Sequence, residues 1–359
     1  MLGPEQLMGC ERNLKQMTEF PLILTEGGDD RLPLDPKTGA NKYHAKPFVN
    51  PDAAFRGSCT CNSPTPLAFD AARIVYEQFL SGSKNVETSM HETREKLMKL
   101  YGLPQGTGIF LMPSGSDAEY IPLLIAKLRN QGKQILNVVT CNEEVGSGTL
   151  DAAGGKFFSH IEPISYGCGA KAGDPVEGLA TGVSNCAIPA RHISGQVVEQ
   201  NEEIHKALFQ CEQNGLVPLV HTVYGSKTGI CQEFDNSIVD RVDSMRGVLV
   251  ADLCQGRFEK QRLTSYLKKN VVVLITGSKF FRGPPFSGGV LVSKTIMKEL
   301  QEMGNNVEIS AGLNSFIGKN EIPRELPSWR DQMGDNQNPA LALRWVAALA
   351  EMEPTLAIP

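Results

Sequence analysis

The chain has 359 residues, of which 41% are hydrophobic and 21% charged, and its formal net charge is −5. This is an ordinary composition for a globular protein that buries a large core. The acidic balance argues against a general role in binding nucleic acid or a membrane surface. A run of about eighteen apolar residues, which could span a membrane, is absent from the sequence.

The cysteines indicate a reducing compartment. There are nine, an odd number, and several lie within apolar stretches as small buried side chains do. The first residues are mixed and charged and lack the apolar segment of a secretory signal, so we expect a cytoplasmic protein. Cys59 and Cys61 have no second pair at a zinc-like spacing, so no metal site is predicted.

The chain begins with a segment of no regular period. Residues 1–65 include "EGGDDRLPLDPKTGANKY", which predicts an extended arm. The stretch "TPLAFDAARIVYEQFLSG" then predicts a helix that is opened by Ser63–Pro64–Thr65–Pro66 and closed by Gly82, and "SMHETREKLMKLYGL" predicts another.

Apolar strands and amphipathic helices alternate from there onward. The strands are predicted at Gly108–Met112, Ile135–Thr140, Val217–Val223, Val248–Asp252, Val271–Thr276 and Gly289–Val292, with a weaker one near Phe157–Ile164. This alternation predicts a three-layer α/β/α fold around a mainly parallel seven-stranded sheet. The last two strands are joined too closely for a crossover helix, so the last is expected to be antiparallel.

Three parts are expected along the chain. Residues 1–65 form the arm, residues 66–295 a large domain, and residues 296–359 the start of a small or truncated carboxy-terminal domain.

Ligands of open α/β sheets lie at the carboxyl ends of the strands. The first strand is followed by "PSGSDAE". There Gly115 permits close approach to a ligand, the first helical N–H groups favour an anion, and Ser116 adds a hydroxyl. Asp117 is a good helix cap, and a plain cap is the alternative interpretation of this motif.

Two later strand ends carry charged residues. Asp252 ends an apolar strand, so we expect it to be largely buried and to need a partner such as a protonated ring nitrogen, with the Gln255 amide nearby. Lys279 follows another strand, where desolvation favours the neutral amine that forms a Schiff base, beside Thr276 and Ser278 as phosphate ligands. A capping aspartate and an exposed lysine at the end of a strand are the alternatives.

Together these motifs resemble the fold-type I pyridoxal-phosphate enzymes, and more narrowly the class V aminotransferase and cysteine-desulfurase-like group. An anion-binding helix start, an Asp-x-x-Gln and a lysine 27 residues after that aspartate follow in this order on successive strands. The resemblance covers about Thr65 to Val292. It implies pyridoxal 5′-phosphate as cofactor, an amino acid or amine as substrate, and a homodimer. The acidic composition already predicts that the protein binds neither nucleic acid nor membrane.

The resemblance also implies roles for single residues. Lys279 corresponds to the lysine of the Schiff base, Asp252 to the partner of the pyridinium nitrogen, and Gln255 to a residue near the phenolic oxygen. Ser226, in "HTVYGSKTG", is expected to approach the same oxygen. The remaining predicted cofactor ligands, mostly at the phosphate, are Gly115, Ser116, Asp117, Thr276 and Ser278.

The sequence departs from the family pattern in three places. Ser278 stands where many relatives have a histidine before the lysine. The turn at Glu143–Val145 offers no aromatic residue to stack on the ring. The carboxy-terminal part is short, and its candidates for binding a substrate carboxylate, Arg324, Arg330 and Arg344, are also explained as surface arginines.

The favoured function is therefore aminotransfer through a Lys279 Schiff base. Decarboxylation, elimination and desulfuration use the same residues and are alternatives, as is a non-catalytic scaffold that retains the fold. A nucleotide-binding protein is disfavoured because "YGSKTG" lacks the Gly–Lys pair of a phosphate loop.

Overall fold

The computed structural model describes residues 19–50, 62–164 and 169–357. The predicted arm is therefore described in part, and Cys59 and Cys61 lie outside the described residues. None of the helices in these ranges is long and apolar enough to cross a membrane.

The described residues form a seven-stranded sheet. Its strands are β1 (Gly108–Met112), β2 (Ile135–Val139), β3 (Val183–Ala187), β4 (Val217–Val223), β5 (Val248–Asp252), β6 (Val272–Thr276) and β7 (Gly288–Val292). Their order across the sheet is β1-β7-β6-β5-β4-β2-β3. The strands from β2 to β6 pair in parallel, whereas β7 is antiparallel to both β6 and β1. The predicted strand count and the antiparallel last strand are confirmed.

One predicted strand is wrong. The segment near Phe157–Ile164 contains bends and turns, and the third strand is instead β3, which pairs with β2 at the edge of the sheet. The residues of β3, "VSNCA", are exposed or half-buried. An edge strand with solvent on its surface does not need a continuous apolar run, so no such run marks this strand in the sequence.

Helices follow the strands as predicted. They are α1 (Pro66–Ser81), α2 (Val86–Tyr101), α3 (Tyr120–Arg129), α4 (Thr149–Ala153), α5 (Gln200–Asn214), α6 (Asn236–Ser244), α7 (Lys260–Lys268), α8 (Lys294–Met303), α9 (Pro327–Arg330) and α10 (Pro339–Leu356). The predicted ends of α1 are confirmed. The Thr65 side chain accepts a hydrogen bond from the Ala68 N–H, and Gly82 ends the helix with φ 71°.

The sheet is covered on both faces, as predicted. Side chains of α2, α5, α7 and α10 pack on one face. Those of α3, α8 and α9 pack on the other. This is the three-layer architecture that the alternation of apolar strands and amphipathic helices predicts.

The carboxy-terminal segment contributes to both cores. Phe316 and Trp329 belong to one and Trp345 to the other, and the Trp345 indole donates to the Gly288 carbonyl at 3.2 Å. The described part of this segment thus packs against the large domain. The domain boundary at residue 295 remains a prediction.

The arm is fastened to the sheet by Arg344. This side chain is fully buried. Its guanidinium donates to the carbonyls of Phe286 at 2.6 Å, Leu24 at 3.3 Å and Gly27 at 2.9 Å, and also to that of Glu26. The interpretation of Arg344 as a surface arginine is therefore wrong. Its side chain is buried and its N–H groups bond to backbone carbonyls where the arm meets the segment before β7.

Candidate active site

A cavity of about 220 Å³ opens at the carboxyl ends of β5 and β6. Most of the predicted site residues line it, namely Gly115, Ser116, Asp252, Gln255, Thr276, Ser278 and Lys279. They lie at or just after the ends of β1, β5 and β6. Strands β5 and β6 are neighbours and β7 separates β6 from β1, but all three strands end at the same edge of the sheet, so these residues meet there although they are distant in sequence.

Lys279 is half-buried at the cavity wall. It follows the extended residue Ser278 and begins a 3₁₀ turn with φ 61°. Its carbonyl accepts a hydrogen bond from Asn62 Nδ2 at 3.1 Å. A left-handed backbone is unfavourable for a lysine, and such conformations recur at functional positions.

Asp252 is half-buried rather than largely buried. Its Oδ1 accepts a hydrogen bond from the Cys254 N–H at 2.8 Å, which fixes the carboxylate at the end of β5. Exposure to the cavity leaves the carboxylate accessible to a ligand.

A buried acid–base pair lies close to Asp252. His221 Nδ1 is 3.0 Å from Glu119 Oε2, with both side chains almost completely buried. Burial raises the pKa of the Glu119 carboxyl; His221 opposes this rise and the Asp252 charge adds to it. The sequence signal for this pair was the one histidine within the apolar run "VPLVHTV".

The opposite part of the cavity is rich in small polar residues. Thr276 Oγ1 donates to the Cys254 carbonyl at 2.6 Å. A Cβ added at Gly115 would lie 3.0 Å from Cys254 Sγ and 3.1 Å from Thr276 Cγ2, so the turn packs closely on β6. Ser278 Oγ and Gln255 Oε1 are buried and have no hydrogen-bond partner within the described ranges.

Two predicted cofactor ligands face away from the cavity. Asp117 is fully buried, with its Oδ2 accepting from Ser114 Oγ at 2.5 Å. Burial and the nearby Asp29 charge raise the Asp117 pKa to about 7. Ser226 donates to Glu144 and accepts from the Ile230 N–H at 2.9 Å. Neither residue lines the cavity, and their cofactor roles remain predictions.

The unusual glutamate in the turn after β2 has a structural partner. The Glu144 carboxylate accepts from the Thr228 N–H at 3.0 Å and from Thr228 Oγ1 at 2.5 Å. Burial works to raise the Glu144 pKa, but these bonds and the one from Ser226 lower it. The carboxylate thus joins the turns after β2 and β4. Lys227, in the second turn, reaches the cavity and donates to the Val145 carbonyl at 2.5 Å.

The sequence did not point to several other residues of the cavity wall. Arg31 and Tyr43 come from the arm, Phe286 precedes β7, and Gly146, Ser147 and Thr149 follow β2. The arm has no periodicity, so nothing in its pattern distinguished Arg31 from its neighbours in "GGDDRLPLD".

Arg324 and Arg330 lie at another place. The Arg330 guanidinium is 2.7 Å from the Glu87 carboxylate, and that of Arg324 is 3.5 Å from it. Their positions give no support to a role in binding a substrate carboxylate.

Comparison with known proteins finds similarity at the level of solved structures. No protein-family model and no curated protein match the chain. The chain is similar to ureidoglycine–glyoxylate aminotransferase from Bacillus subtilis, with 12% identity and a TM-score of 0.47 over 84% of this chain and 67% of that one. It is similar to a cysteine desulfurase from Thermococcus onnurineus NA1, with 15% identity and a TM-score of 0.46 over the same shares.

A third similar structure is longer than this chain. It is the glutamate decarboxylase domain of diaminobutyrate-pyruvate transaminase and L-2,4-diaminobutyrate decarboxylase from Vibrio parahaemolyticus, with 12% identity and a TM-score of 0.46. The match covers 81% of this chain. It spans 57% of that structure.

Proposed function

We propose that the protein is a pyridoxal-phosphate-dependent enzyme of fold type I that acts on an amino acid or amine. The observation that carries the proposal is the meeting of Lys279, Asp252 and the Gly115–Ser116 turn in one cavity. An amine, a carboxylate and an anion-binding turn are the three groups that this cofactor requires of its protein.

The donor and acceptor atoms of the cavity fit the cofactor. Ser278 Oγ and Gln255 Oε1 are buried without partners in the described structure, which is costly unless a ligand bonds to them. Gly115 packs against Cys254 and Thr276, which leave little room for a side chain in the turn proposed to hold the anion. These features support a ligand that carries both an anion and ring polar atoms.

The proposed roles follow from the position of each group. When bound, the cofactor supplies an electron sink for charge that develops at the substrate carbon next to nitrogen. Asp252 keeps a proton on the ring nitrogen, and Ser116 and Ser278 bind the phosphate. The Lys279 amine would hold the cofactor covalently and would be the acid–base group that moves a proton at that carbon.

Aminotransfer is the reaction we favour. Decarboxylation, elimination and desulfuration would use the same residues and are the alternative reactions. We also expect a homodimer, as the resemblance implies, and a cytoplasmic location, as the cysteine usage indicates. Sedimentation would measure the dimer directly.

The proposal is tested by cofactor binding followed by a screen for turnover. Absorbance titration with pyridoxal phosphate should give saturable binding that weakens in Asp252→Asn. Amino acids paired with 2-oxo acids would report aminotransfer, and carbon dioxide or sulfide release the alternatives. Binding without turnover of any substrate would favour the scaffold, and absence of binding would overturn the proposal.

A further inference from the structure

We infer that Arg31, supplied by the amino-terminal arm, binds an oxyanion in the cavity at the end formed by the Gly115–Ser116 turn. The inference rests on the proposed function and adds a binding residue to it. The oxyanion is either the cofactor phosphate or a carboxylate of the substrate.

The Arg31 guanidinium has a donor left over. Nε donates to Asp29 Oδ1 at 2.7 Å, and Nη2 donates to Asp29 Oδ2 and, at 3.2 Å, to Ser114 Oγ. Nη1 has no hydrogen bond to a residue of the described ranges. Because Arg31 lines the cavity, this donor is available to a ligand there.

Ser114 shows which end of the cavity Arg31 serves. Its Oγ accepts from Arg31 Nη2 at 3.2 Å and from the Ser116 N–H at 3.2 Å. The guanidinium is thus one hydroxyl group away from the turn whose backbone is suited to an anion.

The guanidinium is held in place before any ligand binds. Its Cζ atom lies 4.2 Å from the centre of the Phe286 ring and 5.5 Å from the centre of the Phe158 ring. The preceding backbone is fixed where Arg344 and Asn338 donate to the Gly27 carbonyl. Ligand binding therefore costs little side-chain entropy.

The charges around Arg31 explain why an arginine is needed. Asp29 offsets its positive charge, and the Asp117 carboxyl lies nearby. Burial alone would lower the pKa of Arg31, but Asp29 raises it, so the side chain stays protonated. A guanidinium can make two bonds to Asp29 and one to Ser114 and still donate to an anion, whereas these four bonds exceed the three donors of a lysine.

A pair of variants isolates the role of Arg31. Removing Arg31 alone would leave Asp29 buried and unpaired, so Asp29→Asn is compared with Asp29→Asn/Arg31→Met. Arg73→Met, on the surface of α1, controls for the loss of an arginine. Dissociation constants are measured for pyridoxal phosphate and for pyridoxal, which lacks the phosphate.

The two sources of the oxyanion give different results. If Arg31 binds the phosphate, its loss weakens the binding of pyridoxal phosphate about 10- to 100-fold and leaves the affinity for pyridoxal nearly unchanged. It also abolishes the binding of inorganic phosphate by the apoprotein. If it binds a substrate carboxylate, both cofactor affinities persist, but the preference for an amino acid over the amine that lacks its carboxylate is lost.

The inference is overturned if a folded double variant matches Asp29→Asn in all of these measurements. Its failure is distinguishable from that of the proposed function. Wild-type protein that binds inorganic phosphate through Arg31 but no pyridoxal phosphate would retain the oxyanion site and refute the cofactor.

Discussion

The imidazole of His221 and the carboxylate of Glu119 form a buried pair 3.0 Å apart. His221 lies on β4, next to the strand that ends at Asp252, and Glu119 lies on the turn that precedes α3. A buried pair of this kind stabilises the folded protein little more than an apolar pair of the same volume would. Removing one partner, however, leaves the other without compensation.

We therefore predict strong coupling between Glu119 and His221. His221→Phe and Glu119→Met should each lower the free energy of unfolding by about 3 kcal/mol. The double variant Glu119→Met/His221→Phe should lose much less unfolding free energy than the two single variants together. Urea unfolding of the four proteins measures the coupling, and additive losses would show that the pair does not act as a unit.

Substitution of Gly115 should weaken cofactor binding. In Gly115→Ala the new methyl group would press on Cys254 and Thr276, at 3.0 and 3.1 Å, and displace the turn. We expect about tenfold weaker binding of pyridoxal phosphate, measured by absorbance titration. Gly115→Ala/Cys254→Ala should recover part of the loss. Unchanged affinity in Gly115→Ala would place the anion elsewhere.

The buried Asp117 should make stability depend on pH. Its pKa rises from 3.8 unfolded to about 7 folded, so the folded protein retains a proton that the unfolded chain releases. Its contribution to stability is therefore lost progressively as pH rises from about 4 to about 7. Asp117→Asn should flatten this decline in thermal melts, whereas Asp243→Asn, at an exposed carboxylate, should not. A decline of equal slope in Asp117→Asn would contradict the assignment.

Loss of Arg344 should release the arm. Arg344→Met would remove the hydrogen bonds to the carbonyls of Phe286, Leu24 and Glu26, and the Gly27 carbonyl would keep only the bond from Asn338. We expect a loss on the order of 3 kcal/mol in unfolding free energy. Limited proteolysis should cut the arm faster than in wild type, and an unchanged cleavage rate would refute its role as a fastener.

The apolar strands and the site at their ends could be predicted because both depend on local patterns. A strand buried on two faces is a continuous apolar run, and β1, β4 and β5 have the predicted bounds. Lys279, Asp252 and Gly115 each directly follow or end such a run. Parallel strands end at the same edge of a sheet, so the sequence predicts that these residues lie at one edge. The order of the strands, which brings them into one cavity, comes from the structure.

Other features depend on tertiary contacts that leave no local pattern. β3 is an edge strand with exposed polar residues, and Arg31 belongs to an aperiodic arm whose path is determined by Arg344, more than 300 residues later in the sequence. Likewise, the turn at Glu143–Val145 stands out in the sequence only for its lack of an aromatic residue, and the structure shows that Glu144 accepts a hydrogen bond from Thr228 in another turn.

The central claim is that Lys279 carries pyridoxal phosphate covalently. The most direct measurement is borohydride reduction of the protein with added cofactor, followed by peptide mass analysis. Lys227 reaches the same cavity and serves as the internal control. The account predicts the label on Lys279, its retention in Lys227→Ala and its loss in Lys279→Ala. A protein that takes up no cofactor, or a label on Lys227, would contradict it.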